Sequence, residues 1–386
     1  MTNDVFIVKK NFTLNYSDIQ TYNIDEDVHI SGAITLEKVN LLFSCLESQN
    51  SVLIERGENY KDFLYDNQEK GLLMLTTSGT TAIPKLVAHD KFRFIERLKK
   101  SKKSFKTCLF MPWYHIGGLH TLLYVAFSGG TCYIPESYNV SYFLDFVFEN
   151  EIEVLAITPS YLNLLLLNPN FENKTKSVKI ITCGSEPFVG TIAQNLTNRA
   201  PWIEIKQKFG STETGVLDSR TCKEDPEWIQ LAPNGNWKIE NDMLYTKSSI
   251  SCKWILENGV KTDTTEYHCT GDYVETRGDG YIKILGRKSN TINVGGNNVF
   301  PQEVRSKILS LEYIRDVRVY SKDNRLLGSV VAVDICLNPQ NKQEYSKKRF
   351  LIDLSSVLER YKMPFYINIV EDIKYNDRHK MEVKNG

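Results

Sequence analysis

The sequence has no net charge of either sign and no apolar run long enough to cross a membrane. Its 386 residues include 47 lysine and arginine residues and 47 aspartate and glutamate residues. This balance disfavours nucleic acid or an anionic membrane as the main partner, although a local patch can exist within a balanced total. The longest apolar runs, such as Leu122 to Phe127, are far shorter than the roughly 20 residues of a membrane span.

Paired cysteines and a typical secretion signal are also missing. The eight cysteines are scattered and form no Cys-x-x-Cys pair. They are therefore expected to be free, buried thiols in a reducing compartment, neither a disulfide framework nor a zinc site. The N-terminal segment Met1-Thr-Asn-Asp does not resemble a signal peptide. We expect a cytoplasmic protein, long enough for one large domain and a smaller one.

The stretch 71–85 joins an apolar run to a loop of small polar residues. Leu72 to Leu75 reads as a buried strand, Thr76 to Thr81 are small residues, and Pro84 is expected to stop extended pairing before Lys85. Backbone N–H groups, hydroxyls and one ammonium are the donors that bind a polyphosphate. The alternative is a polar turn between two strands. The loop does not end in the Gly-Lys-Ser/Thr of P-loop NTPases.

Short apolar strands alternate with helices from residue 130 to residue 207. This pattern predicts a parallel sheet covered on both faces, with ligands bound beyond the carboxyl ends of the strands. Within this stretch the predicted strands are 130–135, 154–158, 178–183 and 203–207, and the predicted helices are 141–149, 159–167 and 189–198. A helix at 92–100 and a strand at 107–112 are predicted before it.

The remainder of the chain predicts two smaller units. Residues 216–265 read as short strands with turns and are expected to form a small antiparallel unit, followed by a hairpin turn at 278–281. From Pro301 a small α+β domain is expected. It contains a helix at 304–311, strands at 316–320 and 330–336, and a packed helix whose buried face runs from Phe350 to Tyr361.

The stretch Thr77-Ser-Gly-Thr-Thr-Ala-Ile-Pro-Lys85 resembles the phosphate loop of the adenylate-forming superfamily. That superfamily includes acyl-CoA synthetases, peptide-synthetase adenylation domains and beetle luciferases. The usual loop has glycine where this chain has Ala82. The resemblance implies that the ATP phosphates bind Thr77, Ser78, Gly79, Thr80, Thr81 and Lys85.

Two further segments resemble the acid site and the adenine site of this superfamily. Trp113-Tyr-His-Ile-Gly-Gly118 is similar to the Pro-x-x-His-x-x-Gly region of acyl-CoA synthetases, in which His115 would meet the carboxylate at the α-phosphate. A packed turn is the commoner role of a lone histidine. The resemblance also puts Gly117 in the acid or thiol channel. Cys183-Gly-Ser-Glu-Pro187 resembles the segment that borders adenine; its members are Gly184, Ser185, Glu186 and Pro187.

Phe209-Gly-Ser-Thr-Glu213 matches the Tyr-Gly-x-Thr-Glu motif of the superfamily, with phenylalanine for tyrosine. The resemblance implies that the ring of Phe209 stacks on adenine beside Gly210. It also implies that Thr212 hydrogen-bonds the α-phosphate and that Glu213 binds Mg²⁺, a hard cation suited to carboxylate and phosphate oxygens. A Thr-Glu pair by itself is most often a surface turn.

Three motifs follow in the order of the superfamily. Thr270-Gly-Asp272 resembles the segment in which the aspartate accepts hydrogen bonds from both ribose hydroxyls. Residues 282–303 follow the Gly-Arg-x-x-x-x-Ile-x-x-x-Gly-x-x-x-x-Pro-x-Glu pattern. This pattern implies that Arg287 contacts ribose or phosphate, that Ser289 is the hinge, and that Gly296 lets pantetheine pass.

The C-terminal tail resembles the closing Gly-Lys-Ile-x-Arg element of the superfamily. Lys380 falls on the catalytic lysine, and His379 replaces the usual glycine. Lys380 is then expected to bridge carboxylate and phosphate oxygens during adenylation. The alternative is a solvated, disordered basic tail.

The resemblance covers roughly residues 70–386 and implies a fold and a reaction. The fold is α/β: a large domain, 1–288, with parallel-rich sheets covered by helices plus the small antiparallel unit, and a small mobile α+β domain, 289–386. A carboxylate attacks the α-phosphorus of Mg·ATP to give an acyl-adenylate and pyrophosphate. Rotation about Ser289 then removes Lys380 and admits a thiol.

The resemblance does not specify the identity of the acid substrate or of the thiol acceptor. Amino-acid-activating members carry a Phe-Asp pair near His115, which this chain lacks, so we expect an aryl or fatty acid without an α-amine. The thiol is coenzyme A or the phosphopantetheine of an acyl or aryl carrier protein. The alternative function is a degenerate acyl-adenylate binder or regulatory relative, because Ala82, Phe209, Ser289 and His379 depart from the family pattern.

Overall fold

The computed structural model describes most of the chain. It covers residues 6–9, 12–15, 19–57, 59–77, 84–99, 103–232, 236–247, 252–264 and 267–373.

The elements up to residue 149 begin with two strands and then mix strands and helices. In chain order they are Phe6–Lys9 (β1), Phe12–Asn15 (β2), Val28–Ser31 (β3), Leu36–Glu47 (α1), Val52–Glu55 (β4), Lys61–Asp66 (α2), Leu72–Thr77 (β5), Lys85–Asp90 (β6), Lys91–Leu98 (α3), Lys106–Cys108 (β7), Ile116–Ser128 (α4), Thr131–Ile134 (β8) and Val140–Glu149 (α5).

Alternating strands and helices continue to residue 207, and short strands follow. These elements are Val154–Ile157 (β9), Pro159–Leu166 (α6), Phe171–Lys174 (α7), Ile180–Cys183 (β10), Gly190–Arg199 (α8), Glu204–Gln207 (β11), Gly210–Ser211 (β12), Gly215–Val216 (β13), Ser219–Thr221 (β14), Trp228–Leu231 (β15), Trp237–Glu240 (β16), Met243–Thr246 (β17), Trp254–Glu257 (β18), Val260–Asp263 (β19), His268–Arg277 (β20) and Tyr281–Arg287 (β21).

The last elements form one further unit. They are Ile292–Val294 (β22), Asn297–Val299 (β23), Pro301–Leu309 (α9), Ile314–Asn324 (β24), Gly328–Leu337 (β25), Lys347–Ser355 (α10) and Tyr366–Ile369 (β26). Strands β23, β22, β25 and β24 pair in that order, and β26 joins β25 in parallel. The hydrophobic core of this sheet draws only on residues from Ile292 to Ile367.

The first large sheet is the predicted parallel one. Its seven strands run in the order β11-β10-β9-β7-β8-β1-β2, and all neighbours are parallel except β1 and β2. One core packs α5, α6 and α8 against this sheet. A second core packs α4, with α1 and α3, between this sheet and the next one. The prediction of helices on both faces is therefore confirmed.

The second sheet is mixed and has the order β19-β18-β6-β5-β4-β3. Only β3, β4 and β5 are parallel neighbours. The prediction that Pro84 ends extended pairing is wrong, because β6 begins at the next residue and Lys85 lies opposite Thr77 on β5. Proline lacks the N–H that a ladder needs, but it can stand immediately before a strand.

The third sheet is antiparallel, with the order β14-β15-β21-β20-β17-β16. It confirms an antiparallel unit but corrects its membership, because β18 and β19 were expected in it and extend the second sheet instead. The reason is burial: Trp254 and Leu256 of β18 pack into a core with apolar residues of β4, β5 and β6.

Two predicted elements are longer than the observed ones. The strand expected at 107–112 ends at Cys108, although Leu109 N–H still donates to the Tyr133 carbonyl at 2.8 Å. The helix expected from Phe350 to Tyr361 ends at Ser355, and Val357 is 47 % exposed. No helix in the described ranges is long and apolar enough to cross a membrane. These ranges contain all eight cysteines, and all are free thiols as expected.

Lys91 fixes the end of α1 from inside the core. Its side chain is 0 % exposed. The ammonium donates to three carbonyl oxygens, of Cys45 at 2.6 Å, Ser48 at 2.9 Å and Asn50 at 2.6 Å. A helix leaves its last carbonyls without helical partners, and Lys91 supplies donors to that end.

We expect Lys91→Met to lower the free energy of unfolding by about 3 kcal/mol, because one buried and two partly buried carbonyls lose a charged donor. Urea unfolding followed by tryptophan fluorescence measures this. Lys99→Met is the matched control, since Lys99 is exposed at the end of α3, and we expect it to change stability by less than about 0.5 kcal/mol. Equal effects of the two substitutions would contradict the assignment.

Candidate active site

Strands β5 and β6 hold the two ends of the predicted phosphate loop side by side. Thr77 ends β5 and lies opposite Lys85, the first residue of β6. The Lys85 ammonium forms an ion pair with Glu257 on β18, at 3.0 Å. Ser78, Gly79, Thr80, Thr81 and Ala82 lie outside the described residues.

A buried carboxylate is linked through Tyr60 to Pro84, the residue that precedes β6. Glu55 is 0 % exposed and accepts hydrogen bonds from the backbone N–H groups of Asn59 (3.2 Å) and Tyr60 (3.3 Å). The Tyr60 hydroxyl in turn donates to the carbonyl of Pro84. Burial, with the nearby charges of Glu55 and Glu257, raises the pKa of Tyr60. The hydroxyl therefore stays protonated and keeps the end of the loop in place.

The hairpin β12–β13 carries Thr212 and Glu213 at its turn. A Cβ atom on Gly210 would overlap the carbonyl of Gly215, so the two strands approach this closely only with glycine there. His89 Nε2 lies 2.7 Å from the carbonyl oxygen of Thr212, and a carbonyl only accepts, so His89 donates. The N–H of Cys252 donates to the Glu213 carbonyl at 2.8 Å. Both residues are thus fixed through their backbone.

The carboxyl ends of β10 and β11 meet, as the parallel sheet predicts. The N–H of Lys208 donates to the Cys183 carbonyl at 2.7 Å, which sets Gly184 beside the 208–209 peptide. Phe209 packs against the core of the third sheet. Glu186 Oε2 accepts from the N–H of Ser160 at 3.2 Å, at the start of α6.

The Gly184–Pro187 segment is shaped by this junction. Ser185 adopts a left-handed backbone with φ of 71°. The Glu186 carboxylate is engaged by α6, so the backbone of the segment, and not this side chain, is the part available to border a base. Gly184 and Pro187 flank these two residues in the turn between β10 and α8.

Asp272 and Arg287 are cross-strand partners on β20 and β21. The Asp272 carboxylate is 5 % exposed and lies 3.3 Å from Arg287 Nε. Burial raises the pKa of Asp272, Arg287 acts in the opposite direction, and the charge of Glu213 raises it further. The carboxylates of Glu213 and Asp272 are therefore electrostatic neighbours, although their motifs are far apart in sequence.

His268 belongs to the same group and was missed by the sequence analysis. Burial lowers the pKa of His268, the Glu213 carboxylate raises it, and the Lys85 ammonium lowers it. His268, Glu213 and Lys85 thus lie near one another. Strand alternation gave no signal for His268, because the ladder between it and Asp272 is irregular: Met243 and Tyr245 of β17 lie opposite Tyr273 and Cys269 of β20, and Gly271 has φ of 74°.

His115 lies at the N-cap of α4, with its carbonyl accepting from the N–H of Leu119 at 2.8 Å. A Cβ atom on Gly118 would overlap the carbonyl of Pro112, which explains the glycine three residues after the histidine. Trp113 anchors the turn by donating from Nε1 to the Gly32 carbonyl at 2.9 Å. Gly117 follows in the first turn of α4. This helix contacts β13, which connects it to the Thr212–Glu213 hairpin.

The remaining predicted residues lie at or beyond the end of the third sheet. Ser289 is exposed in the 3-10 turn Lys288–Asn290 that follows β21. Gly296 has φ of 90° in the turn between β22 and β23, a conformation that favours glycine. A Cβ atom there would meet nothing within 4 Å, so backbone conformation and not space accounts for this glycine in the described structure. Lys380 and His379 lie outside the described residues.

The side chains fit a magnesium ion held mainly by a nucleotide. The described part of the chain contains no group of three or more His, Cys, Asp or Glu side chains that could hold a metal ion. Mg²⁺ is usually bound by one or two carboxylates together with substrate phosphates, so a single carboxylate is an adequate protein contribution. Glu213, whose charge acts on His268 as that of Lys85 does, is a side chain that could supply it.

Comparison with known proteins identifies relatives of this arrangement. The family model of the AMP-binding enzyme matches residues 25–242, more than half of the chain. A 2-succinylbenzoate–CoA ligase of Oceanobacillus iheyensis is 21 % identical over 354 residues, covering 86 % of this chain and 71 % of the relative. A putative long chain fatty acid–CoA ligase of Staphylococcus haemolyticus is 24 % identical, covering 79 % and 67 %.

Solved structures share the fold. An anthranilate CoA ligase in complex with anthranoyl-AMP superposes with a TM-score of 0.76 at 13 % identity, covering 98 % of this chain and 92 % of the other. An o-succinylbenzoate CoA synthetase from Bacillus subtilis, in complex with its acyl-adenylate intermediate, gives 0.66 at 16 % identity, covering 98 % and 93 %. These likenesses confirm the predicted α/β fold class.

Proposed function

The chain belongs to the AMP-binding enzyme family, and from this premise we propose that it activates a carboxylic acid with ATP and transfers the acyl group to coenzyme A. The resemblance to the adenylate-forming superfamily is confirmed, and so is the expectation of an enzyme of the acid–thiol ligase class. The substrates, the site residues and the domain motion are the parts that we propose.

The observation that carries the proposal is the meeting of three charged side chains from separate motifs. Lys85 comes from the second sheet, Asp272 from the third, and Glu213 from the hairpin that follows the first. The charges of Lys85 and Glu213 both act on His268, and the charge of Glu213 also acts on Asp272. A phosphate-binding cation, a metal-binding carboxylate and a diol-binding carboxylate in one place match the parts of a magnesium nucleotide.

In the first step a carboxylate oxygen attacks the α-phosphorus, and the bond from that phosphorus to the pyrophosphate oxygen breaks. Phe209, Gly210 and the 184–187 backbone hold the adenine, and Asp272 accepts from the ribose hydroxyls. Lys85 leaves Glu257 to bind phosphate with the loop. Bound Mg²⁺ supplies charge neutralisation at the phosphates. The protein contributes positioning and electrostatic stabilisation.

The groups nearest the reacting atoms are proposed from four segments. Thr212 donates to the α-phosphate, and Arg287 contacts ribose or phosphate. His115 orients the carboxylate at the start of α4, where the helix N-terminus favours negative charge. Lys380 bridges the carboxylate and phosphate oxygens from the C-terminal tail.

In the second step a thiol attacks the acyl carbon and AMP leaves. We place the domain boundary between residues 288 and 289, with Ser289 as the pivot. Two observations support this: Ser289 is exposed directly after the last strand of the third sheet, and the unit that follows has a hydrophobic core of its own. Pantetheine would pass Gly296 and reach the acid beside Gly117.

The names of the relatives guide the choice of substrates. Several are CoA ligases, which favours coenzyme A over a carrier protein as the acceptor. Of the two relatives described above, one is named for 2-succinylbenzoate and one for a long chain fatty acid, and neither compound has an α-amine. The absence of a Phe-Asp pair near His115 agrees with this chemistry.

The test is ATP–pyrophosphate exchange with 2-succinylbenzoate, aryl acids, short and long fatty acids, and amino acids, followed by CoA thioester formation. We expect exchange with one class of acid and none with amino acids alone. Transfer to a phosphopantetheinyl carrier protein and not to coenzyme A would show that the acceptor is the carrier protein. ATP binding without exchange across the panel would favour the degenerate binder.

A further inference from the structure

Four structural elements converge beside the proposed acid site and bring charged groups together. Helix α3 packs against α4, α4 contacts β13, and β11 lies next to β14. Arg97 comes from α3, His120 from α4, and Lys208 from the residue after β11. Asp218 lies between β13 and β14. The charges of Arg97, Lys208 and Asp218 all act on His120, and those of Arg97 and Asp218 act on Lys208, which places the four residues in one cluster that we call the inner basic cluster.

The inner basic cluster has more positive than negative charge. Asp218 is its only carboxylate among the residues that the structure describes, and Asp218 Oδ1 already pairs with Arg97 Nη2 at 2.6 Å. Within the described ranges, the ammonium of Lys208 has neither a hydrogen-bond nor an ion-pair partner. Burial lowers the pKa of His120 to about 4, so this ring is neutral and does not add charge.

The partly buried ammonium of Lys208 is energetically unfavourable unless an anion binds to it. Lys208 is only partly exposed, and burial lowers its pKa. A charge taken from water without a partner raises the free energy of the folded protein unless a counter-charge is supplied. Asp218, the carboxylate whose charge acts on Lys208, is already paired with Arg97 at 2.6 Å, and the neighbouring Lys206 is a like charge. A bound anion would complete the site.

The position of the cluster relates it to the acid and not to the nucleotide phosphates. Lys208 directly precedes Phe209, and His120 lies on the α4 helix that His115 begins. The cation near the phosphate loop is a different one, Lys85, on β6. A group bound at Lys208 would therefore belong to a molecule that extends from His115 along α4.

We propose that the acid substrate carries a second anionic group, a second carboxylate being the simplest, and that Lys208 binds this group with Arg97 and His120 beside it. This inference rests on the proposed function and narrows its substrate class to diacids. The first carboxylate reacts at His115 and the second stays ionised at Lys208, so the acyl group of the thioester product keeps one negative charge.

The experiment compares each diacid with its monoacid in ATP–pyrophosphate exchange. One pair is 2-succinylbenzoate and 4-oxo-4-phenylbutanoate, which lacks the ring carboxylate; aliphatic diacids and monoacids form others. We expect wild-type kcat/KM to be about 10- to 100-fold higher for the preferred diacid. Lys208→Met should abolish this preference through the KM of the diacid and leave the monoacid unchanged.

The matched control is Lys206→Met, the same substitution two residues earlier, where the ammonium already has Glu204 as a partner. It should keep the preference. Equal loss for diacid and monoacid in Lys208→Met would indicate a structural role and overturn the proposal. Exchange with monoacids but no preference for any diacid would also overturn it, while leaving the proposed function intact.

A binding measurement tests the proposed anion site independently of whether the protein shows turnover. If no acid supports exchange, the proposed function fails, and calorimetry of 2-succinylbenzoate with wild type and Lys208→Met still tests the anion site. Binding weakened at least about tenfold by the substitution supports the site. Equal binding, or no binding to either protein, overturns it.

Discussion

Replacement of the Glu213 carboxylate by an amide is expected to lower ATP–pyrophosphate exchange by about 100-fold or more, because the phosphates would lose the side chain that we propose as the Mg²⁺ ligand. Glu213→Gln keeps the size of the side chain, and the backbone is held by His89 and Cys252 independently of the carboxylate. The variant should therefore fold normally. Exchange kinetics over a range of Mg²⁺ concentrations measure the loss and should show a higher Mg²⁺ requirement.

A control variant and a pKa measurement test this prediction further. Glu240→Gln changes a glutamate that pairs with Lys238 at 2.8 Å on an outer strand, and it should leave exchange unchanged. The Glu213 charge raises the pKa of Asp272, so its removal should lower that pKa, which titration by NMR would detect. Normal exchange by Glu213→Gln at low Mg²⁺ would refute the assignment.

Removal of the Lys380 ammonium is expected to separate the two half-reactions. Lys380→Ala should reduce adenylation by about 100- to 1,000-fold, because the transition state loses a positioned positive charge. Thioester formation from supplied acyl-adenylate should remain near the wild-type rate, since the domain rotation would take Lys380 away before the thiol attacks. Both rates are measurable separately, by pyrophosphate exchange and by rapid quench with coenzyme A.

The neighbouring Lys384 offers a control for general effects of charge in the tail. Lys384→Ala should leave both half-reactions unchanged. A parallel fall of adenylation and thioester formation in Lys380→Ala would rule out the swinging-lysine role, and a fall in the second step alone would reverse the assignment.

Motifs with a fixed local geometry were the most predictable part of the site. Gly210 and Gly118 stand where added side chains would overlap a carbonyl, so the spacing of these glycines reports a real close approach. The meeting of Gly184 with the 208–209 peptide followed from parallel strands, whose carboxyl ends share one edge. The pairing of Asp272 with Arg287 was less predictable, because the hairpin turn at 278–281 sets the register of β20 and β21 only as far as Val274, and an irregularity between Tyr273 and Val274 then shifts it by one residue.

Supporting residues were not predictable in the same way. His89 and Tyr60 donate to backbone carbonyls of distant segments, at Thr212 and Pro84, and such contacts leave no pattern in the local sequence. Strand β6 was missed because Pro84 precedes it, and β18 was misassigned because its partner is β6 and not the strands that follow it in sequence. Long-range pairing decides both cases.

The sequence by itself determined the family, the α/β class and the order of the chemical groups, because these depend on residue identity and spacing along the chain. It also specified which side chains have the chemistry for phosphate, ribose and metal. Only the tertiary structure decided that the charges of Glu213 and Lys85 act on His268, that the charge of Glu213 acts on Asp272, and that Lys208 lacks a partner among the described residues. The reason is physical: burial and Coulomb interactions depend on distance in space, and residues more than a hundred positions apart become neighbours only when the sheets pack.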